Sequence, residues 1–117
     1  MNGTMRETDP IQPKRCAQLL AALAAPERLH IVRYLADGPH NVTEIADMLG
    51  IPAVNVSHHL GMLKHAGLID GTKRGRFVWY ALTAGVLEDA VAAGVPTGAL
   101  NLGCCRLELP LRACEGE

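Results

Sequence analysis

Apolar residues at three-and-four spacing mark where ordered structure begins. From Pro13 onward Cys16, Leu19, Leu20 and Leu23 recur at that spacing and predict an amphipathic helix. Pro26 opens a second helix, since a proline is tolerated in a first turn. Leu29, Ile31, Val32 and Leu35 form its apolar face, and Asp37-Gly38-Pro39 ends it. Asn41-Val42-Thr43-Glu44 has the form of a capping box, in which cap and third residue satisfy each other's backbone N–H groups. A short helix over residues 42–49 follows, burying Val42, Ile45, Ala46 and Leu49 and stopping at Gly50. Another runs from Ile51-Pro52 to about Ala66, with Ala53, Val56, Leu60 and Leu63 as its inner stripe and Gly67 as its stop. Two helices joined by a short turn containing glycine carry the helix-turn-helix signature.

Beyond Gly67 the period changes. Leu68-Ile69-Asp70 and Phe77-Val78-Trp79-Tyr80-Ala81-Leu82 flank Gly71-Thr72-Lys73-Arg74-Gly75-Arg76, which predicts a β-hairpin with Gly75 at its tip. Thr83 reads as the cap of a last helix over residues 84–93, with Val86, Leu87, Ala90 and Val91 on one side and Gly94-Val95-Pro96 as its stop. Residues 97–117 have no clear period, although Asn101 to Pro110 suits an extended chain. Residues 1–12 are polar and expected to fray. The expected fold is mostly α with a small β-hairpin, in the order α-α-α-α-β-β-α: a winged helix-turn-helix.

Composition narrows the class. A chain of 117 residues has single-domain length, and 49% hydrophobic with 20% charged residues is a globular balance. The longest uncharged stretch, Ala90 to Cys105, spans sixteen residues broken by Gly, Pro, Asn and Thr, too short and too polar for a membrane span. The first ten residues lack the apolar centre of a signal peptide. A cytoplasmic protein without a membrane partner is therefore expected. In that compartment four cysteines are ligands or sensors rather than staples. The net charge of −1 argues against a nucleic-acid partner only when read as one number. Residues 53–80 carry a local +3, whereas residues 34–52 and 84–117 carry −3 each.

The ordered set of motifs resembles the ArsR/SmtB family of bacterial metal- and stress-responsive repressors. The matching pieces are Ala25-Pro26-Glu27-Arg28-Leu29 with Ile31 and Leu35, and Val42-Thr43-Glu44-Ile45-Ala46. Val56-Ser57-His58-His59-Leu60 with Leu63, Ala66, Gly67 and Leu68 follows, then Arg74-Gly75-Arg76 with Tyr80. The resemblance covers residues 25–83 and implies a homodimeric repressor of double-stranded operator DNA, dimerised mostly through its first and last helices. The chain is expected to divide into a flexible N-terminus (1–12), a DNA-binding and dimerisation domain (13–93) and a cysteine-containing tail (94–117). Asn55, Ser57, His58 and Met62 point outward from the inner stripe, and Asn, Ser and His side chains suit base edges in a major groove. Lys64, Lys73, Arg74 and Arg76 suit phosphates or a minor groove. His59 falls near the inner stripe and reads as a packed histidine.

The signal input is sought among the cysteines. The helix over residues 42–49 has no cysteine and the last expected helix no histidine, so two sites that family members use for metals are missing. Cys104, Cys105 and Cys114 remain, with Cys16 as a candidate fourth ligand. This tail is similar to the C-terminal triple-cysteine site of some arsenic-responsive members. Soft ions such as arsenite, antimonite, cadmium, lead or copper(I) favour such thiolates. Arsenite is the first choice, because its three-thiolate geometry suits three cysteines better than zinc's tetrahedral preference does. The same cysteines also suit a thiol-redox sensor, or mere packing beside Leu102, Leu107 and Leu109. An enzyme, such as a small cysteine-dependent reductase, is disfavoured because the tail has no C-x-x-C and no βαβ context. Control by a partner protein at the tail is a third class.

Overall fold

The computed structural model describes residues 12–92 and 95–109. The segment expected to fray (apart from Gln12) and Cys114 lie outside the described residues. α1 (Pro13–Leu23) and α2 (Pro26–Ala36) both begin on proline, as expected from its fixed φ and missing N–H. α3 (Val42–Leu49) starts at Asn41, whose side-chain oxygen accepts the Glu44 N–H at 2.9 Å. The Glu44 carboxylate accepts the Asn41 N–H at 3.3 Å, which completes the capping box. Gly50 ends this helix, and α4 (Ala53–His65) begins after Ile51 and Pro52. Along α4 Val56, Leu60 and Leu63 are buried, so the inner stripe is as expected. Ala53, at the helix start, is instead exposed.

The hairpin forms with the expected residues. β2 (Ile69–Arg74) pairs antiparallel with β3 (Phe77–Leu82), and Arg74 lies opposite Phe77 across the turn Gly75-Arg76. Gly75 takes φ 62, the positive value needed at the first central position of a two-residue hairpin turn of the II′ kind. A two-residue strand absent from the sequence reading, β1 (His40–Asn41), adds to the other edge of β3. His40 stacks on Tyr34, with ring centroids 3.6 Å apart, and its Nδ1 sits 2.9 Å from the Glu44 carboxylate. Loss of hydration raises the Tyr34 phenol pKa above its ordinary value, and the charges of Glu44 and Asp47 add to the effect.

The expected last helix does not form. Thr83 is no helix cap: its carbonyl accepts the Val86 N–H at 3.0 Å, and Gly85 takes φ 87, so residues 83–86 make a β-turn. The chain continues as β4 (Leu87–Ala92), β5 (Val95–Asn101) and β6 (Arg106–Leu109), an antiparallel sheet in the order β4-β5-β6. Gly85, two residues after the supposed cap, disfavours a helix. Pairing with β5 along the whole of β4 meets its backbone hydrogen-bonding demand instead. Glu88 on β4 ties the other two strands together, accepting from the Asn101 side chain and pairing with Arg106 Nε at 3.0 Å.

Helices and both sheets share one core. Ile31, Ile45, Val56, Leu60, Leu63, Leu68, Ile69 and Leu100 are almost fully buried within it, and Leu102 from the β5–β6 turn joins them. Besides Ala53, two expected core positions on α1 and α2 lie outside. Leu20 on α1 and Leu29 on α2 are 40% and 38% exposed, and Ala22 takes the inner place on α1.

Candidate functional site

The outer face of α4 is laid out by the inner one. With Val56, Leu60 and Leu63 held in the core, the 100° step per residue leaves Asn55, Ser57, His58, Met62 and Lys64 exposed. All the residues singled out on this helix lie outward. The sequence reading missed Val54, which is 74% exposed and stands one turn before Ser57 and His58 on the same face. Its spacing was the available signal, obscured by the habit of assigning valine to the core. His59 is half-buried: its Nδ1 lies 3.2 Å from Arg28 Nη1, and its ring meets His58 edge-on at 5.6 Å between centroids.

Lys73, Arg74 and Arg76 are exposed around the tip of the β2–β3 wing. The Arg74 guanidinium lies over the Trp79 ring, 5.6 Å from its centroid. Such stacking reduces the conformations open to the cation without covering its charge. The helix face and the wing thus offer polar donors and acceptors beside three exposed cations, a combination matched to a groove and its phosphates.

A second cluster sits where α1 meets the C-terminal sheet. Cys16 is buried on the inner face of α1, and the turn Leu102-Gly103-Cys104-Cys105 carries two more cysteines to it. Asn101 shapes this turn by accepting the Gly103 N–H at 2.8 Å, and the Leu102 N–H closes on the Cys105 carbonyl at 2.9 Å. Cys16 and Cys104 are joined by a disulfide across 88 residues of sequence. The Cys105 thiol is free, with its sulfur 4.0 Å from that of Cys16 and 3.9 Å from that of Cys104. The three sulfurs lie within 4.8 Å of one another, and no histidine or carboxylate among the described residues joins them. Cys16, a candidate fourth ligand in the sequence, thus lies in one sulfur group with Cys104 and Cys105. The sequence offered only its inner-face position, because the 88-residue separation conceals the contact.

Four helices, a helix-turn-helix with a basic wing and an appended thiol cluster define a winged helix-turn-helix DNA-binding protein. A profile of bacterial regulatory proteins of the arsR family matches residues 25–70. The chain is 36% identical over 98 residues to the transcriptional regulator NmtR of Mycobacterium tuberculosis, covering 78% of this chain and 82% of NmtR. It is 42% identical over 94 residues to the transcriptional repressor SmtB of the same species, covering 73% and 70%. Among solved structures, the homodimeric winged helix-turn-helix DNA-binding domain Mb0332 of Mycobacterium bovis superposes with a TM-score of 0.63 at 28% identity, covering 72% of this chain and 77% of that one. The chain belongs to the ArsR/SmtB family of transcriptional regulators, which bind DNA and are not enzymes. No described helix is long and apolar enough to cross a membrane.

Proposed function

We propose that this regulator is a cytoplasmic, homodimeric repressor that leaves its operator when a soft metal or metalloid ion binds the thiolates of Cys16, Cys104 and Cys105. In this reading Asn55, Ser57 and His58 meet base edges in the major groove, with Val54 against a thymine methyl. Lys64, Lys73, Arg74 and Arg76 hold phosphates or the minor groove. Two copies read half-sites about 34 Å apart, or a multiple of it. The exposed leucines on α1 and α2, Leu20 and Leu29, support pairing of two copies, as does the homodimeric state of Mb0332. The last helix no longer enters the dimer, since residues 87–92 form a strand.

The observation that carries the proposal is the convergence of three sulfurs from distant parts of the chain. An ion about 2.3 Å from each of three sulfurs holds them roughly 4 Å apart. The separations of 4.0 and 3.9 Å from Cys105 to its neighbours match that demand. The third edge is the disulfide, which a cellular thiol must reduce before an ion enters. Arsenite then exchanges its three hydroxyls for three sulfurs, releasing three waters. Antimonite reacts alike, and cadmium, lead and copper(I) displace thiol protons. All members of this set are soft ions suited to sulfur.

A second reading has its own observation: the bonded pair Cys16–Cys104 beside a free thiol. Peroxide would take two electrons and two protons from the dithiol, forming this disulfide and two waters, so that the operator response follows oxidation. One experiment separates the readings. Operator binding by the reduced protein is titrated with arsenite, cadmium, copper(I) and peroxide in turn. Release by a soft ion, lost in Cys16→Ser, Cys104→Ser and Cys105→Ser, supports the first reading. Release by peroxide alone, retained in Cys105→Ser, supports the second. No release by any of them removes both.

A further inference from the structure

Two arginines join the helix that carries Cys16 to the helix that faces DNA. Arg15, the residue before Cys16, donates from Nη2 to the Ala66 carbonyl at 2.8 Å, at the C-terminal end of α4. The carbonyls in a helix's last turn have no partner within the helix, so an outside donor fixes that end. Gly67 leaves room for it: a Cβ there would stand 3.2 Å from the same Nη2. At the other end of α1, Arg28 on α2 donates from Nε to the Ala22 carbonyl at 2.6 Å. Its Nη1 meets His59 Nδ1 at 3.2 Å. Arginine has only donors, so His59 accepts at Nδ1 and carries its proton on Nε2. α1 is therefore strapped antiparallel along α4, by its first turn to the end of α4 and by its last turn to the middle.

We propose that Arg15 and Arg28 are positioning residues that transmit the state of the thiol cluster to α4. The inference rests on the thiol cluster's being the signal input. Cys16 is the cluster's only member on a helix, and Arg15 is bonded to it through the chain. A shift of Cys16 toward an ion, or its release from Cys104, moves α1 along its axis. The two straps carry that movement to Ala66 and His59. The His59 ring abuts His58, which lies on the exposed face of α4. Allosteric coupling requires a difference in contacts between two states, and these hydrogen bonds tie α1 to α4 directly through Arg15 and by way of α2 through Arg28.

The test uses the full-length reduced protein, cadmium ion alone as the probe, and a labelled duplex that the wild-type protein selects from a random-sequence library. Cadmium uptake is followed by its sulfur-to-metal charge-transfer absorbance, folding by thermal melting, and coupling by the ratio of duplex Kd with and without cadmium. The wild-type ratio is expected to reach at least about tenfold. In Arg15→Ala, and in Arg28→Gln, it falls below about threefold while cadmium uptake persists and the metal-free Kd changes little. Arg15→Lys, which keeps a donor within reach of Ala66, recovers most of the ratio. A merely structural arginine would lower the melting temperature and leave the ratio intact, and an intact ratio in both variants overturns the proposal. A wild-type protein that takes up no cadmium, or takes it up with a ratio of one, overturns cadmium sensing at the cluster and the relay with it, while the arsenite, copper(I) and peroxide arms above decide the sensor reading. That failure shows before any arginine is changed.

Discussion

The helix-turn-helix and the C-terminal sheet are held together by different physics. Between Pro26 and Leu82 each element brings its own start and stop: a proline, a capping box, a glycine, a two-residue turn. These signals act within a few residues, and burial of Ile31, Ile45, Leu60 and Leu63 then fixes their arrangement. From Leu87 to Leu109 the strands have little of this. Each exists because its neighbour does, and the sheet is fastened by Leu100 and Leu102 in the core, by Glu88 across three strands, and by a disulfide to α1. The first region is specified locally and stabilised by burial. The second depends on contacts with distant parts of the chain.

The largest effect should come from the first region. Leu63→Ala empties part of a fully buried site and should cost about 2–5 kcal/mol, read as a lower urea midpoint. An unchanged midpoint would mean that the helices are not the stable half. Next, reducing the Cys16–Cys104 bond should cost about 2–4 kcal/mol, because it frees an 88-residue loop in the unfolded chain. Amide exchange should then quicken in β4, β5 and β6 but not in α3 and α4; equal quickening in both would erase the contrast between the regions. Asn41→Ala removes the capping oxygen from a buried position and should cost about 1–2 kcal/mol, followed by circular dichroism during thermal melting.

These local signals explain what could be read from the chain alone. α3 is expected over residues 42–49 and found there because its cap and terminator are both short-range. The wing follows from Gly75 and two β-forming runs for the same reason. The last helix fails because residues 86–92 carry good helix formers, Leu87, Glu88 and Ala90, and tertiary pairing overrides propensity. Gly85 was the one local warning. The thiol site was half legible: Cys104 and Cys105 stand together in the sequence, but nothing in it announces that the turn bearing them folds onto Cys16.

Smaller effects sharpen the comparison further. Gly61 lies on the exposed side of α4, where an added Cβ would meet nothing within 4 Å. Gly61→Ala should therefore stabilise the fold by about 0.5–1 kcal/mol. If this face meets DNA, operator affinity should fall at the same time; a rise in both would place the groove contact elsewhere. The smallest effect concerns pH. The Tyr34 pKa is raised on folding, so its contribution to stability is present below the ordinary phenol value of 10.0 and is lost as pH climbs through the folded value. Stability measured against pH should show this alkaline loss in the wild type and less of it in Tyr34→Phe.

The disulfide that joins α1 to the β5–β6 turn also orders events in time. Cys16 is synthesised early, whereas Cys104 follows 88 residues later, a delay of about 4–18 s at ordinary bacterial-to-eukaryotic translation speeds. Everything between them, both helices of the turn and the whole wing, leaves the ribosome during that interval. A newborn chain thus acquires its reading head before the ring containing it can close. For those seconds the helix-turn-helix and the wing exist without a covalent tie to the C-terminal turn.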